Sequence, residues 1–269
     1  MPTLPHYQAL LFDIDKTLTN SQRVITQETR DVINRFVNRG YLLGFCTGKH
    51  YIKLVQEQLL DVLPANSIHV LTGGAQVVRN NGQILWQKTI PSETIKKIFN
   101  RSVEEKVSLM IKHDQGFWAN EAALLNYPDG NNLRPYIRPF DTSMPTVSSC
   151  SLVIVEPTAD FEAFLSTFND ITVTKMQHYE TTLIDVTAKG VTKGTGLHHW
   201  SEITGVPLKE VIGFGDSAND LEFLQEVGFA VALGNAIDDI KDVADRVIGH
   251  TDDNGLATYL NEVLSTGEL

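Results

Sequence analysis

The sequence predicts an α/β protein: a doubly wound parallel-sheet core with an inserted α+β domain. Three observations carry this. Apolar strand-length runs alternate with amphipathic helix-length segments in both flanks of the chain. The alternation breaks between residues 82 and 186, where turn-marked hairpins take over. In the flanks, chemically capable polar residues stand just after strand ends, where open α/β sheets bind ligands.

The first strand spans 8–12 and stops at Asp13-Ile14-Asp15-Lys16-Thr17. A helix fits 27–39, with Thr26 as N-cap and Val32, Ile33, Phe36 and Val37 on one face. Gly40 stands where a glycine ends a helix. A second strand at 41–45 leads into Cys46-Thr47-Gly48-Lys49, a helix runs to about 60, and a third strand covers 67–71. Val77-Val78 and Ile84-Leu85-Trp86 flank Asn80-Asn81-Gly82 as a hairpin. A helix fits 91–105, and a second hairpin joins 107–112 to 117–120. Residues 127–145 hold four prolines and read as irregular. A strand at 151–155, a helix at 159–168 and strands at 171–176 and 182–186 complete the insert.

Alternation then returns. Helices fit 192–203, 219–227, 237–243 and 255–264, and strands fit 211–214, 229–232 and 246–248. The expected division is a discontinuous core, 1–81 with 187–269, around an insert, 82–186. No repeat of 20–50 residues is visible.

At about 150 residues per domain, 269 residues make one large or two modest domains. With 42% apolar and 20% charged residues and no biased tract, the chain is not disordered, collagenous or a coiled coil. A net charge of −11 repels nucleic acid and anionic membranes, so neither is an expected partner. A small phosphorylated substrate remains open, provided cations gather locally. Two cysteines make no disulfide framework and suit a reducing compartment. The N-terminus has no basic region before an apolar run, and no stretch approaches the ~18 apolar residues of a spanning helix. The expectation is a soluble cytoplasmic protein.

Four signals carry chemistry: Asp13 with Asp15, Thr47 with Gly48, Lys193 at a helix start, and the run Gly215-Asp216-Ser217-Ala218-Asn219-Asp220. Four converging carboxylates repel unless a cation sits among them. Mg²⁺ suits a few carboxylates together with water and a substrate phosphate. Lys193 would neutralise remaining phosphate charge. Thr47 offers a hydroxyl and an N–H, and Gly48 lets backbone approach a phosphate oxygen. Asp13 and Asp15, two apart in an extended segment, would address one phosphorus. One would attack it and the other, held protonated, would serve the leaving alcohol and then the incoming water.

These motifs resemble those of the haloacid dehalogenase (HAD) superfamily, in its Cof-type phosphatase branch with a type-IIB cap. The resemblance spans nearly the whole chain. Leu11-Phe12-Asp13-Ile14-Asp15-Lys16-Thr17-Leu18, Thr47-Gly48, Lys193 within Gly190–Gly194, and Gly213–Leu221 stand as the four motifs in order. The resemblance implies a Rossmann-like core, Asp13 as nucleophile and Asp15 as general acid/base. It implies Mg²⁺ held by Asp13, Asp15 through its carbonyl, Asp216 and Asp220. Thr47, Gly48, Lys193 and Asn219 would hold the phosphate. The implied enzyme is a phosphoric monoester hydrolase acting on a small metabolite, a sugar phosphate first, with flavin mononucleotide, pyridoxal phosphate or an aminopyrimidine phosphate open. It would act as a monomer or weak dimer. A phosphotransferase or mutase, and a non-catalytic phospho-ligand binder, are the alternatives.

The chain departs from the family pattern at Lys16 for Gly, Lys49 for Arg and Gly73 for Asn. Lys49 lacks arginine's bidentate fork and is a candidate specificity residue. Trp118, His178 and Tyr179 are candidates in the cap. Other signals are bland. His198 and His199 point about 100° apart on a helix and cannot share one ion. Cys46 reads as a small space-filling residue, and Lys193-Gly194-Thr195-Gly196 lacks the Gly-rich loop of a P-loop.

Overall fold

The computed structural model describes residues 6–126, 132–178 and 180–269. The first flank holds β1 (Ala9–Phe12), α1 (Gln27–Asn38), β2 (Leu42–Phe45), α2 (Tyr51–Gln56), β3 (Ile68–Leu71), β4 (Gln76–Arg79) and β5 (Ile84–Gln87). The insert holds α3 (Ser92–Glu104), β6 (Ser108–His113), β7 (Gly116–Ala119), α4 (Glu121–Leu125) and β8 (Ile137–Pro139). It continues with β9 (Ser151–Val155), α5 (Ala159–Leu165), β10 (Ile171–His178) and β11 (Thr181–Ala188). The second flank holds α6 (Lys193–Thr204), β12 (Val211–Gly215), α7 (Leu221–Glu226), β13 (Phe229–Ala232), α8 (Asp238–Val243), β14 (Arg246–Val247) and α9 (Gly255–Thr266).

The core sheet runs β14-β13-β12-β1-β2, all parallel. Winding leaves β1 toward β2 on one side, while β12, β13 and β14 extend the other side. The strand order therefore reverses between β1 and β12, and a crevice opens beyond their carboxyl ends. Phe12 and Phe214 are register partners whose rings stack 4.8 Å apart. Strand β3 joins beside β2 through a parallel bridge, Cys46 with Val70. Tight turns then force β4 and β5 to run antiparallel to their neighbours. The α/β expectation with an inserted α+β unit is borne out. Thr26 caps α1 as expected, its side chain accepting from the Thr29 N–H.

The cap sheet runs β10-β11-β9-β6-β7-β8. One face carries Leu109, Ile111, Leu152, Ile154, Ile184 and Val186, buried with Ile95, Ile98 and Phe99 of α3 and Phe161 and Leu165 of α5. The other face carries the alternate residues and looks onto the core.

Three sequence expectations need correction. The proline-rich stretch read as irregular contains β8, which pairs in parallel with β7. An edge strand tolerates Pro139 because one side of it needs no partner. Helix α4 was missed; Asn120 caps it through the Ala123 N–H. The first hairpin was split at 82, yet β5 pairs with β4 and β11 runs on to Ala188. We therefore propose that the insert begins after Gln87 and ends at Ala188.

Candidate active site

Asp13 follows β1 directly, and its N–H donates to the Phe214 carbonyl of β12 at 2.9 Å. The chain then turns tightly through Ile14–Leu18, with Thr19 N–H closing onto the Ile14 carbonyl. Lys16 sits at φ +61°, a left-handed conformation that favours glycine. This explains why a glycine is expected there. Asn235 Nδ2 donates to the Lys16 carbonyl at 2.8 Å and holds the turn.

Asp216 and Asp220 come from the segment after β12. Asp220 is fully buried, and its Oδ2 accepts the Asp216 and Ser217 N–H groups at 3.1 and 3.0 Å. Lys193 enters from the first turn of α6. That turn is held by the Thr192 cap, whose side chain accepts from Thr195 N–H. A Cβ on Gly74 would lie 1.8 Å from the Thr192 carbonyl oxygen, so only glycine at Gly74 lets the 72–74 turn press against this loop. Lys193 Nζ then bridges Asp13 Oδ1 at 2.6 Å and Asp220 Oδ1 at 2.5 Å.

Ligand oxygens of Asp13, Asp216 and Asp220 lie within 4.8 Å of one another. Burial, with Asp220 and Asp15 adding to it against the pull of Lys193, pushes the Asp13 carboxyl up to about 7. Burial, with the charges of Asp13 and Asp220, pushes Asp216 up to about 8. The cluster is thus short of positive charge even with Lys193 in place. A hard divalent cation with oxygen ligands fits this donor set. Thr17 Oγ1 donates to Asp216 Oδ1 at 3.1 Å and orients it.

Asp15 stands outside the trio. Lys49 Nζ lies 2.9 Å from Asp15 Oδ2 and 2.9 Å from Glu57 Oε2. An ammonium at that distance favours the carboxylate over the acid, so the held-protonated Asp15 expected from sequence is not the form this arrangement supports. Thr47 is buried, and its Oγ1 accepts from Lys49 N–H at 3.2 Å, which leaves its own proton free to donate. Ser217 Oγ donates to Asn219 Oδ1 at 2.8 Å, and Asn219 Nδ2 meets Met176 Sδ of the cap at 3.8 Å.

A cavity of about 550 Å³ joins these residues to the cap. Its floor includes Asp13, Asp15, Thr47, Gly48, Lys49, Asp216 and Asn219. Its roof is the inward face of the cap sheet. Met110, Val153 and Asp185 form one cross-strand row, and Val155, Leu183 and Met176 form the next.

The roof also holds a group that sequence reasoning missed. Lys112 Nζ donates to Asp185 Oδ1 and to the Gly48 carbonyl, both at 3.0 Å. Both side chains are nearly excluded from solvent. A charged residue inside each otherwise apolar strand, Leu109–Lys112 and Leu183–Val186, was the available signal. Trp118 is corrected: it does not line the cavity. It stacks on His113 at 4.1 Å and packs against Phe140. Strand alternation turns Phe117 into the cavity instead. His178 ends β10, but its side chain and all of Tyr179 lie outside the described residues.

The bland signals stay apart. His198 meets Glu226, while His199 meets Glu202 and stacks on Trp86. Cys46 is buried, and burial pushes its thiol up, so it keeps its proton. No helix of the described residues is long and apolar enough to cross a membrane.

The sequence pattern of the haloacid dehalogenase-like hydrolases matches residues 10–260. The chain belongs to this family. HAD-like relatives cover it almost end to end. An HMP-PP phosphatase of Yersinia enterocolitica is 24% identical over 98% of this chain and 97% of its own. A 5-amino-6-(5-phospho-D-ribitylamino)uracil phosphatase of Bacillus subtilis is 25% identical over 98% of this chain and 100% of its own. Among solved structures, a HAD-like hydrolase from Bacteroides thetaiotaomicron superposes with a TM-score of 0.78 at 22% identity, covering 96% of this chain and 99% of its own. A HAD subclass IIB sugar phosphatase gives 0.79 at 22%, covering 95% and 98%. These two likenesses establish the shared fold.

Proposed function

We propose that this HAD-like hydrolase is a Mg²⁺-dependent phosphatase that cleaves a small phosphorylated metabolite through an aspartyl-phosphate on Asp13. The observation that carries the reading is the buried trio Asp13, Asp216 and Asp220, closed by Lys193, at the floor of a capped cavity. Structural ion clusters exist without catalysis, but they do not usually face an enclosed cavity at a sheet's switch point.

Asp13, Asp216 and Asp220, with the Asp15 carbonyl, would hold the cation, which neutralises charge on the phosphoryl oxygens when bound. Thr47 donates from its hydroxyl, and Gly48 leaves room for a phosphoryl oxygen. Lys193 adds a fixed positive charge where negative charge gathers. An Asp13 oxygen attacks phosphorus, and the bond to the alcohol oxygen breaks. Asp15 gives its proton to that oxygen. Asp15 then takes a proton from water, the water oxygen attacks phosphorus, and Asp13 is released with inorganic phosphate. The ion pair with Lys49 supports the second half, because it favours the ionised Asp15 that accepts the proton. For the first half, Lys49 must loosen its hold as Asp15 takes up a proton.

The cap wall constrains the alcohol. Met110, Phe117, Val153, Val155, Met176 and Leu183 present an apolar surface, so the leaving group has an apolar face. Sugar phosphates stay within this class. So does a ring with a phosphorylated polyol arm, as in the name of the Bacillus relative.

The test is phosphate release from sugar, nucleotide and vitamin phosphates, with Mg²⁺ and with EDTA. Release should need Mg²⁺ and fall roughly 10³-fold or more in Asp13→Asn. A wild-type protein that binds Mg²⁺ and hydrolyses nothing would sink the reading.

A further inference from the structure

Five cationic side chains line the cavity among the described residues: Lys16, Arg23, Lys49, Lys53 and Lys112. Lys49 is held by Asp15 and Glu57, and Lys112 by Asp185 and the Gly48 carbonyl. Lys53 differs from both. It lies on α2, one turn after Lys49, and is partly buried. Among the described residues its ammonium has no hydrogen bond and no carboxylate oxygen within 4.0 Å. Glu57 and Asp15 are the carboxylates whose charge reaches it, and both already hold Lys49.

The neighbours make this costly. Burial, then the Lys49 ammonium, and more weakly Lys112, hold the Lys53 pKa below the ordinary lysine value. His50 brings no charge of its own at neutral pH, because burial and Lys112 push it down to about 3. Among the described residues the remaining acids of the roof are engaged: Asp185 holds Lys112, and Glu156 accepts the Thr182 N–H. An unpaired ammonium beside two others is stabilised by an anion that the described residues do not supply. A chain of net charge −11 repels anions elsewhere, so this cluster is where one would settle.

We propose that Lys53 seats a second anionic group, a phosphate or carboxylate carried on the alcohol portion of the substrate. The inference rests on the phosphatase reading and deepens it. Asp13, Thr47 and Lys193 take the phosphoryl group that is transferred, and Lys53 takes the acid that stays with the product. The substrate class narrows to phosphate monoesters of hydroxy acids and to bisphosphates.

A matched pair tests this: 6-phosphogluconate and glucitol 6-phosphate, open-chain compounds that differ only in a carboxylate for a hydroxymethyl group. With Mg²⁺ and the full chain, kcat/KM should favour the acid by about tenfold or more, as one charge-assisted contact allows. The ratio should fall to near one in Lys53→Gln and persist in Lys53→Arg. An equal loss on both substrates in Lys53→Gln would mean a merely structural lysine and overturn the proposal. A second readout needs no turnover. In Asp13→Asn protein, calorimetric binding should favour the acid by a similar factor, and adding Lys53→Gln should erase it. An unchanged binding ratio, or binding of neither compound, overturns the subsite. If wild type releases phosphate from nothing but binding still follows Lys53, the phosphatase reading fails and the subsite stands.

Discussion

Core and cap handle buried charge in opposite ways. In the core, three carboxylates and one lysine converge from two strand ends and a helix start. Like charges crowd there, and Asp13 and Asp216 are pushed up to about 7 and 8. In the cap, the roof is largely apolar, and its one matched pair among the described residues, Lys112 with Asp185, is already neutral. The core arrangement is costly to fold and, on the proposed reading, gains its use only when phosphate and cation arrive. The cap arrangement is satisfied as it stands and serves as a shaped wall. On that reading, chemistry belongs to the crowded trio, and selection to the cap wall together with Lys53 of the core.

The largest expected effects fall on the core. Asp13→Asn should cut turnover roughly 10³-fold or more on every substrate alike in the phosphate-release assay. Lys193→Met removes the only ammonium, among the described residues, bonded to two buried carboxylates. Breaking a buried pair by deleting one partner costs about 3–5 kcal/mol. Urea unfolding without metal should show a loss of that size, and Mg²⁺ should return part of it by replacing the missing charge. A loss under about 1 kcal/mol would mean that Lys193 is not what holds the carboxylates together.

Cap substitutions should act on selection. Lys112→Met leaves Asp185 with the Ser151 hydroxyl but no cation and frees the Gly48 carbonyl, so stability should fall by about 2–3 kcal/mol, with KM rising more than kcat falls. Asp185→Asn keeps an acceptor for Lys112 and should cost less. An equal effect of both on kcat alone would move Lys112 from the wall into the chemistry. Phe117→Ala should reorder substrate preference by roughly tenfold, since it opens the cavity. Trp118→Ala should lower stability through the lost stack on His113 and leave the ranking as it was. Reordering by Trp118→Ala instead would contradict the facing of strand β7.

The same contrast explains what the sequence made legible. The core site sits in short runs after strands, so Asp13, Thr47, Lys193 and Asp216 were readable from local context. The wall is spread over six strands, each giving one to three residues of ordinary appearance. Met110 and Val153 meet only through strand register, which no local pattern encodes. Trp118 was a cap candidate, but a two-residue period decides facing, and facing gave the place to Phe117. Lys53 could not be singled out at all. Its meaning depends on Asp15 and Glu57 being engaged by Lys49, a three-body fact visible only in space.

The smallest expected effect sets core packing against site chemistry. His69 is fully buried in β3, its ring stacked on Phe45 at 4.9 Å. Its Nδ1 accepts the Phe45 N–H at 3.1 Å, so Nε2 carries the proton and donates to Asn80 Oδ1 at 2.9 Å. Protonating Nδ1 breaks the first bond, and burial holds the pKa down to about 4. The unfolded chain, near 6.5, therefore binds more protons between pH 6.5 and 4. Stability from His69 is intact above 6.5, is lost as pH falls, and stops falling below about 4. Asp13 and Asp216 act in the opposite sense, because raised carboxyls in the folded protein take up protons first. The difference between wild type and His69→Gln isolates the histidine. Between pH 6.5 and 5.5 wild type should lose about 1 kcal/mol more than the variant in urea unfolding. Parallel pH profiles would mean that His69 takes up its proton in the fold as readily as in the unfolded chain, and that Phe45 N–H has another acceptor.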